Sequence, residues 1–217
     1  MLKKNRIKPI EDFFTKSSPN ILVQRADRLG DLVVALPVIH TLRTAFPDAT
    51  IDVLCSNRNV GLLTDFPEIN STIVFDIHTK PSVFKKRSLI KTIKQKKYDM
   101  YLSLWAHPFY QKLGFKAGIP LTLGPYINIL SDYYLTCAIR LPWNNMLRHE
   151  ADFNLMCLYP LELPIKRPTS LTFNRPATPN RARKPTILIF CNSGKTVSMI
   201  SEAFYVDLVK HLCKENR

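Results

Sequence analysis

ILVQRADRLGDLVVALPVIHTLRTAFPDATIDVL, residues 21–54, is the stretch whose reading decides the fold. An apolar run at 21–23 leads through a short charged loop holding Asp27, Arg28, Gly30 and Asp31 into an apolar-periodic helix over about 31–46. A second β-rich run follows at 51–55. The order is strand, loop, helix, strand. In such a unit the loop after the first strand lies at the carboxyl edge of a parallel sheet. It sits beside a helix N-terminus whose free N–H groups and dipole favour anions, so a site is expected there.

The same alternation continues outward. Leu32, Val33, Leu36, Ile39, Leu42 and Phe46 recur at three and four, Pro37 predicts a kink in that helix, and FPDA at 46–49 predicts the turn that ends it. A short helix is expected at 57–65 and a third strand at 72–76. A lysine-rich helix is expected at 82–97, and a fourth strand at 99–104 that ends in Trp105, Ala106, His107 and Pro108. Strands alternating with helices predict an α/β fold, a parallel sheet with helices on both faces. Residues 109–117 then read as a short helix, 117–126 as a loop and short strand, and 149–160 as a helix.

Four segments follow from composition. Residues 1–18 form a basic extension without the apolar core of a secretory signal. Leu2, Ile7, Ile10, Phe13 and Phe14 fit either a short amphipathic helix, on a membrane or on the protein's own flank, or a frayed end. Residues 19–166 form the main domain, and 167–185, rich in Pro, Arg and Thr, read as a linker. Residues 186–217 hold one apolar strand, a small-residue loop and one helix, too little to bury a domain core, and so read as the incomplete start of a second α/β domain. No apolar run reaches the roughly 20 residues of a membrane span; residues 117–143 are interrupted by Pro120, Pro125, Asp132 and Arg140. The five cysteines have neither CxxC nor zinc-site spacing and read as reduced, mostly packed thiols. A net charge of +14 predicts a surface that attracts polyanions without choosing among nucleic acid, anionic lipid and phosphorylated sugar.

RADRLGDLVVALPVIHTLRTAFPDATIDVLCS at 25–56 resembles the N-terminal motif of family nine glycosyltransferases, which include the lipopolysaccharide heptosyltransferases. The match continues in register through FPEINSTIVFD at 66–76, KYDMYLSL at 97–104, AGIPLTLGPY at 117–126 and RHEADFNLMCLYPLEL at 148–163, and covers roughly residues 20–215. The resemblance implies the N-terminal, Rossmann-like half of a GT-B architecture. It implies an inverting transfer of heptose or a related sugar from a nucleotide-sugar donor such as ADP-heptose, without a metal cofactor. The acceptor would be a phosphorylated glycolipid of the lipopolysaccharide core. The protein would be cytoplasmic and peripheral at the inner face of the inner membrane, attracted there by its basic surface. A partner chain or dimer is expected to cover the incomplete second domain.

The resemblance also assigns roles. Asp31, the Asp of the LGD motif, is the implied general base; by residue type alone a helix-capping Asp fits equally. Arg25 and Arg28 flank it and suit acceptor phosphate or carboxylate, or are plain surface charges. Asp27 reads as a hydrogen-bonding loop residue. Gly30, His107 and His149 complete the implied acceptor side. Ser193, Gly194 and Lys195 would face the donor phosphates, although the Lys/Arg-aromatic-Pro run usual after them is replaced by Ser198, Met199, Ile200 and Ser201. A P-loop is excluded, because its first Gly would fall where Ile189 stands. Two other readings stay in view: a truncated, inactive copy that keeps only the acceptor side, and a basic nucleic-acid-binding module. The module is disfavoured because its cations are not interleaved with stacking aromatics in any known motif.

Overall fold

The computed structural model describes residues 7–142, 148–174, 187, 189 and 201–215. The chain divides into two compact units, Met1–Arg175 and Pro176–Arg217. The first unit is a six-stranded, all-parallel sheet. Its strands are β1 (Asn20–Gln24), β2 (Thr50–Cys55), β3 (Ser71–Val74), β4 (Met100–Ser103), β5 (Leu121–Pro125) and β6 (Cys137–Ile139), in spatial order β3-β2-β1-β4-β5-β6. β1 pairs with β2 at Leu22↔Asp52 and with β4 at Leu22↔Tyr101.

Alternation along each strand divides the core into two layers. Ile21, Val23, Ile51, Val53, Met100 and Leu102 point to one face, where Phe13 of α1 (Ile7–Phe14), Leu36, Ile39 and Leu42 of α3 (Leu36–Ala45) and Leu155 of α7 (Glu150–Met156) cover them. Leu22, Leu54 and Tyr101 point to the other, under α4 (Val83–Gln95) and α5 (Pro108–Ala117). The N-terminal amphipathic segment thus packs on the protein's own flank, with Phe13 edge-on to Phe46 at 5.2 Å.

Three local expectations change. The helix expected over 31–46 is not one kinked rod: it is α2 (Leu29–Val33) and α3, separated at Val34 and Ala35. Pro37 sits in the first turn of α3, where a missing N–H costs nothing. The helix expected at 57–65 is a single 3-10 turn, Val60–Leu62. Residues 127–139, given no element beforehand, form α6 (Ile129–Tyr134) and β6. Asn128 caps α6 by accepting the Leu130 N–H at 3.0 Å. In the second unit the described residues form α8 (Glu202–Glu215).

Candidate functional site

The strand order reverses between β1 and β4, and the crevice outside their carboxyl ends is where doubly wound sheets place ligands. The loop from Arg25 to Arg28 leaves β1 at that crevice, and the segment Leu104 to His107 leaves β4 beside it. Arg25 ties the two together. It is only 5% exposed, and its guanidinium is engaged on every side. Nε donates to Asp27 Oδ1 at 3.0 Å, Nη1 donates to the Leu104 carbonyl at 2.9 Å and to Asn154 Oδ1 at 3.0 Å, and Nη2 donates to Glu150 Oε1 at 2.8 Å. Asp31 Oδ1 lies 3.6 Å from Nη2. One cation therefore faces three carboxylates, and it fastens the β1 loop to the end of β4 and to the start of α7.

Polar side chains hold the loop itself. Asn59 donates to the Arg25 carbonyl at 3.0 Å and accepts the Ser56 N–H at 2.8 Å. Asn154 donates to the Val34 carbonyl at 3.1 Å, joining α7 to the break between α2 and α3. Asp27 is buried, and desolvation pushes its carboxyl up to about 6. Arg25 opposes that rise and the Asp31 charge adds to it.

Asp31 stands at the third position of α2. Its Oδ2 accepts the Arg28 N–H at 3.1 Å, and its side chain remains 26% exposed. Capping and solvent access coexist: one oxygen serves the helix end while the group still reaches the crevice. Arg28 is exposed, with no ion-pair partner among the described residues. A Cβ on Gly30 would meet nothing within 4 Å, so packing does not demand glycine there.

Both predicted histidines are helix caps. His107 Nδ1 accepts the Phe109 N–H at 3.2 Å at the start of α5, and His149 Nδ1 accepts the Ala151 N–H at 3.1 Å at the start of α7. Accepting at Nδ1 leaves the neutral ring with its proton on Nε2, a donor aimed away from the cap. His107 also packs 4.8 Å from Trp105, which lies 5.5 Å from His78. Burial, then the His78 and Lys86 charges, lower its pKa.

The structure thus brings Arg25, Asp31 and, through Glu150, the start of α7 into one cluster, with His107 on the neighbouring β4 segment. Ser193, Gly194 and Lys195 lie outside the described residues. Glu150, Asn154, Asn59 and Gln24 were missed in the sequence. The first two were findable, being four apart on one helix face just after the predicted His149. Gln24 ends the apolar strand β1, is fully buried, and accepts from Ser103 Oγ at 3.1 Å and the Trp105 N–H at 3.4 Å. Its Nε2 has no hydrogen-bond partner among the described residues. In the same set no group of three or more His, Cys, Asp or Glu is placed to hold a metal, and no helix is long and apolar enough to cross a membrane.

No family model matches the chain. It is 26% identical over 211 residues to a Haemophilus influenzae protein provisionally named a glycosyltransferase, an alignment covering 90% of this chain and 60% of that one. It is 38% identical over 80 residues to lipopolysaccharide heptosyltransferase 3 of Escherichia coli, covering 35% of this chain and 23% of the relative. Among solved structures, a family 9 glycosyl transferase from Veillonella parvula matches with a TM-score of 0.63 at 24% identity, over 71% of this chain and 45% of that chain. The chain is therefore related in sequence to glycosyltransferases and lipopolysaccharide heptosyltransferases, and it shares the family 9 fold. It spans less than two thirds of the length of the curated relatives it matches.

Proposed function

We propose that this chain supplies the acceptor side of an inverting, heptosyltransferase-type sugar transfer, with Asp31 as the general base. The acceptor is a phosphorylated glycolipid resembling the lipopolysaccharide core. The donor is a nucleotide sugar such as ADP-heptose, and the setting is the cytoplasmic face of the inner membrane. The observation that carries this reading is the Asp31 carboxylate. It is part-exposed at the switch-point crevice and is oriented by the Arg28 N–H and by Arg25.

In this reading an acceptor hydroxyl hydrogen-bonds to the exposed side of Asp31 and gives it a proton as the oxygen forms its bond to the anomeric carbon. The bond from that carbon to the donor diphosphate breaks on the opposite side, which inverts the centre. Arg28, free to turn toward a ligand, binds acceptor phosphate in the bidentate way that suits a guanidinium. His107 and His149 offer Nε2–H donors to acceptor hydroxyls. Arg25 is a positioning residue, its donors being spent on protein acceptors. Ser193, Gly194 and Lys195 are proposed for the donor phosphates, whose developing charge needs N–H or cationic partners.

The test is transfer from ADP-heptose to a deacylated core acceptor by the purified 217-residue chain, alongside acceptor binding by calorimetry. Asp31→Asn is expected to lower turnover by about 10²–10⁴-fold, the usual range for removing a general base, while acceptor affinity changes little. Acceptor binding without turnover would favour the second reading, an acceptor-side domain that does not catalyse. Neither binding nor turnover would overturn the proposal.

A further inference from the structure

We infer that the outer surface of α4, α5 and α6 is where this chain docks on an anionic lipid bilayer. The three helices pack side by side over one layer of the sheet. Their solvent side carries large apolar side chains: Val83 and Phe84 on α4, Phe115 on α5, and Ile129, Leu130 and Tyr133 on α6. Phe84 is 79% exposed and Ile129 78%. Single exposed apolar residues are ordinary, but several on adjacent helices mark an interaction surface.

Charge selects the occupant. α4 carries Lys85, Lys86, Arg87, Lys91 and Lys94 and no acidic residue. Arg87 and Lys91 follow Phe84 at three and seven positions, so an apolar tip and two cations share one stripe. Lys112 lies 5.3 Å from the centre of the Tyr134 ring, Arg140 stacks on Tyr126 at 3.7 Å, and Asp132 is paired with Arg140 at 3.8 Å. Apolar tips set among cations fit the boundary between anionic headgroups and acyl chains, where aromatic and aliphatic side chains insert and Lys and Arg meet the phosphates. A second copy meeting this one through a two-fold contact would press α4's cations against each other. Nucleic acid would leave Val83, Ile129 and Leu130, which have no π face to stack on bases, in water.

Position adds to the argument. α4, α5 and α6 follow β3, β4 and β5, so Phe84 and Ile129 lie toward the carboxyl edge of the sheet, the edge that also holds Asp31. A bilayer docked there presents its headgroup layer beside the proposed acceptor crevice. The inference names the membrane partner of the proposed function and rests on that reading for its purpose. Its test runs without donor or turnover.

The experiment is co-sedimentation of the 217-residue chain with vesicles of phosphatidylglycerol mixed with phosphatidylcholine, against pure phosphatidylcholine. Binding is expected to the anionic vesicles only and to weaken with salt. Phe84→Ser combined with Ile129→Ser is expected to lower partitioning roughly tenfold or more. Arg87→Ala and Lys91→Ala are expected to lower it about fivefold each. Circular dichroism should stay unchanged, since all four side chains face solvent. Equal binding to neutral vesicles, no binding at all, or parental binding by these variants overturns the inference. So does a dimer that the double variant converts to monomer, or nucleic-acid binding lost in the same variants. Vesicle binding by a parent chain that transfers no sugar counts against the catalytic reading alone, and sugar transfer by a chain that binds no vesicle counts against the docking inference alone.

Discussion

At the scale of single residues, the crevice is dominated by an imbalance: Arg25 meets Asp27, Asp31 and Glu150, and only Glu150 among the three is largely open to water. Burial first, and the Asp31 charge after it, raise the Asp27 carboxyl to about 6 from its ordinary 3.8 against the pull of Arg25. A carboxyl whose folded pKa is raised favours folding while protonated. That contribution is complete below about 3.8 and is lost as pH rises through about 6. Asp27→Asn keeps an acceptor oxygen for Arg25 Nε and removes the titration. The variant should therefore gain stability relative to the parent between pH 4 and pH 6 and hold that gain above pH 6. Urea unfolding at a series of pH values reads this directly, and a constant offset between the two proteins would refute it. The loop's composition predicts a charged segment, and the motif that Asp31 belongs to singles it out as the implied base. That Arg25 would be consumed internally was not legible, because its partners Glu150 and Asn154 lie 125 and 129 residues away in sequence.

Among the elements, those whose boundaries carry local chemistry were readable. α4 begins after Ser82, which accepts the Lys85 N–H at 3.3 Å, and α5 ends at Gly118, whose φ of 74° suits a residue without a Cβ. α6 and β6 escaped notice because residues 127–139 mix exposed apolar side chains with polar caps, so neither a period of 3.6 nor one of 2 stands out. What no periodicity conveys is how a crossover is pinned to its sheet. Asp52, buried in the middle of β2, accepts from Tyr98 Oη at 2.6 Å and Lys96 Nζ at 2.7 Å, both from the connection between α4 and β4. Burial works to raise the Asp52 pKa, but these hydrogen bonds outweigh it and hold the carboxyl below its usual value. Tyr98→Phe leaves the ring packed and strips one donor from a buried charge. It should lower unfolding free energy by about 1.5–3 kcal/mol, with the deficit shrinking in acid as Asp52 protonates. Equal stability of the two proteins in urea at neutral pH would show that Lys96 alone satisfies the carboxylate.

For the whole molecule, the question is where the sheet domain ends. Composition places a linker at 167–185, yet the first residues of that stretch are packed chain. Arg167 Nε lies 2.9 Å from Asp152 Oδ1 on α7, the Asn174 N–H donates to the Asp65 carbonyl at 2.7 Å, and the Phe173 ring lies 5.2 Å from that of Phe66. Leu171 and Phe173 both rest on the apolar layer under α3 and α7. Pro168 has little backbone freedom to lose, and the apolar contacts of Leu171 and Phe173 help hold the segment along the domain. The strap crosses from α7 to the chain just after the 3-10 turn, between β2 and β3, and so ties together two parts of the domain that are distant in sequence. If it belongs to the domain, Phe173→Ala should destabilise the first unit by roughly 1–2 kcal/mol, the share expected for a half-buried aromatic ring. If it is only a tether, the same substitution is silent. Urea unfolding of the full chain separates the two, and limited proteolysis adds a second measure: early cleavage between Lys166 and Asn174 in the parent protein would show the strap to be free.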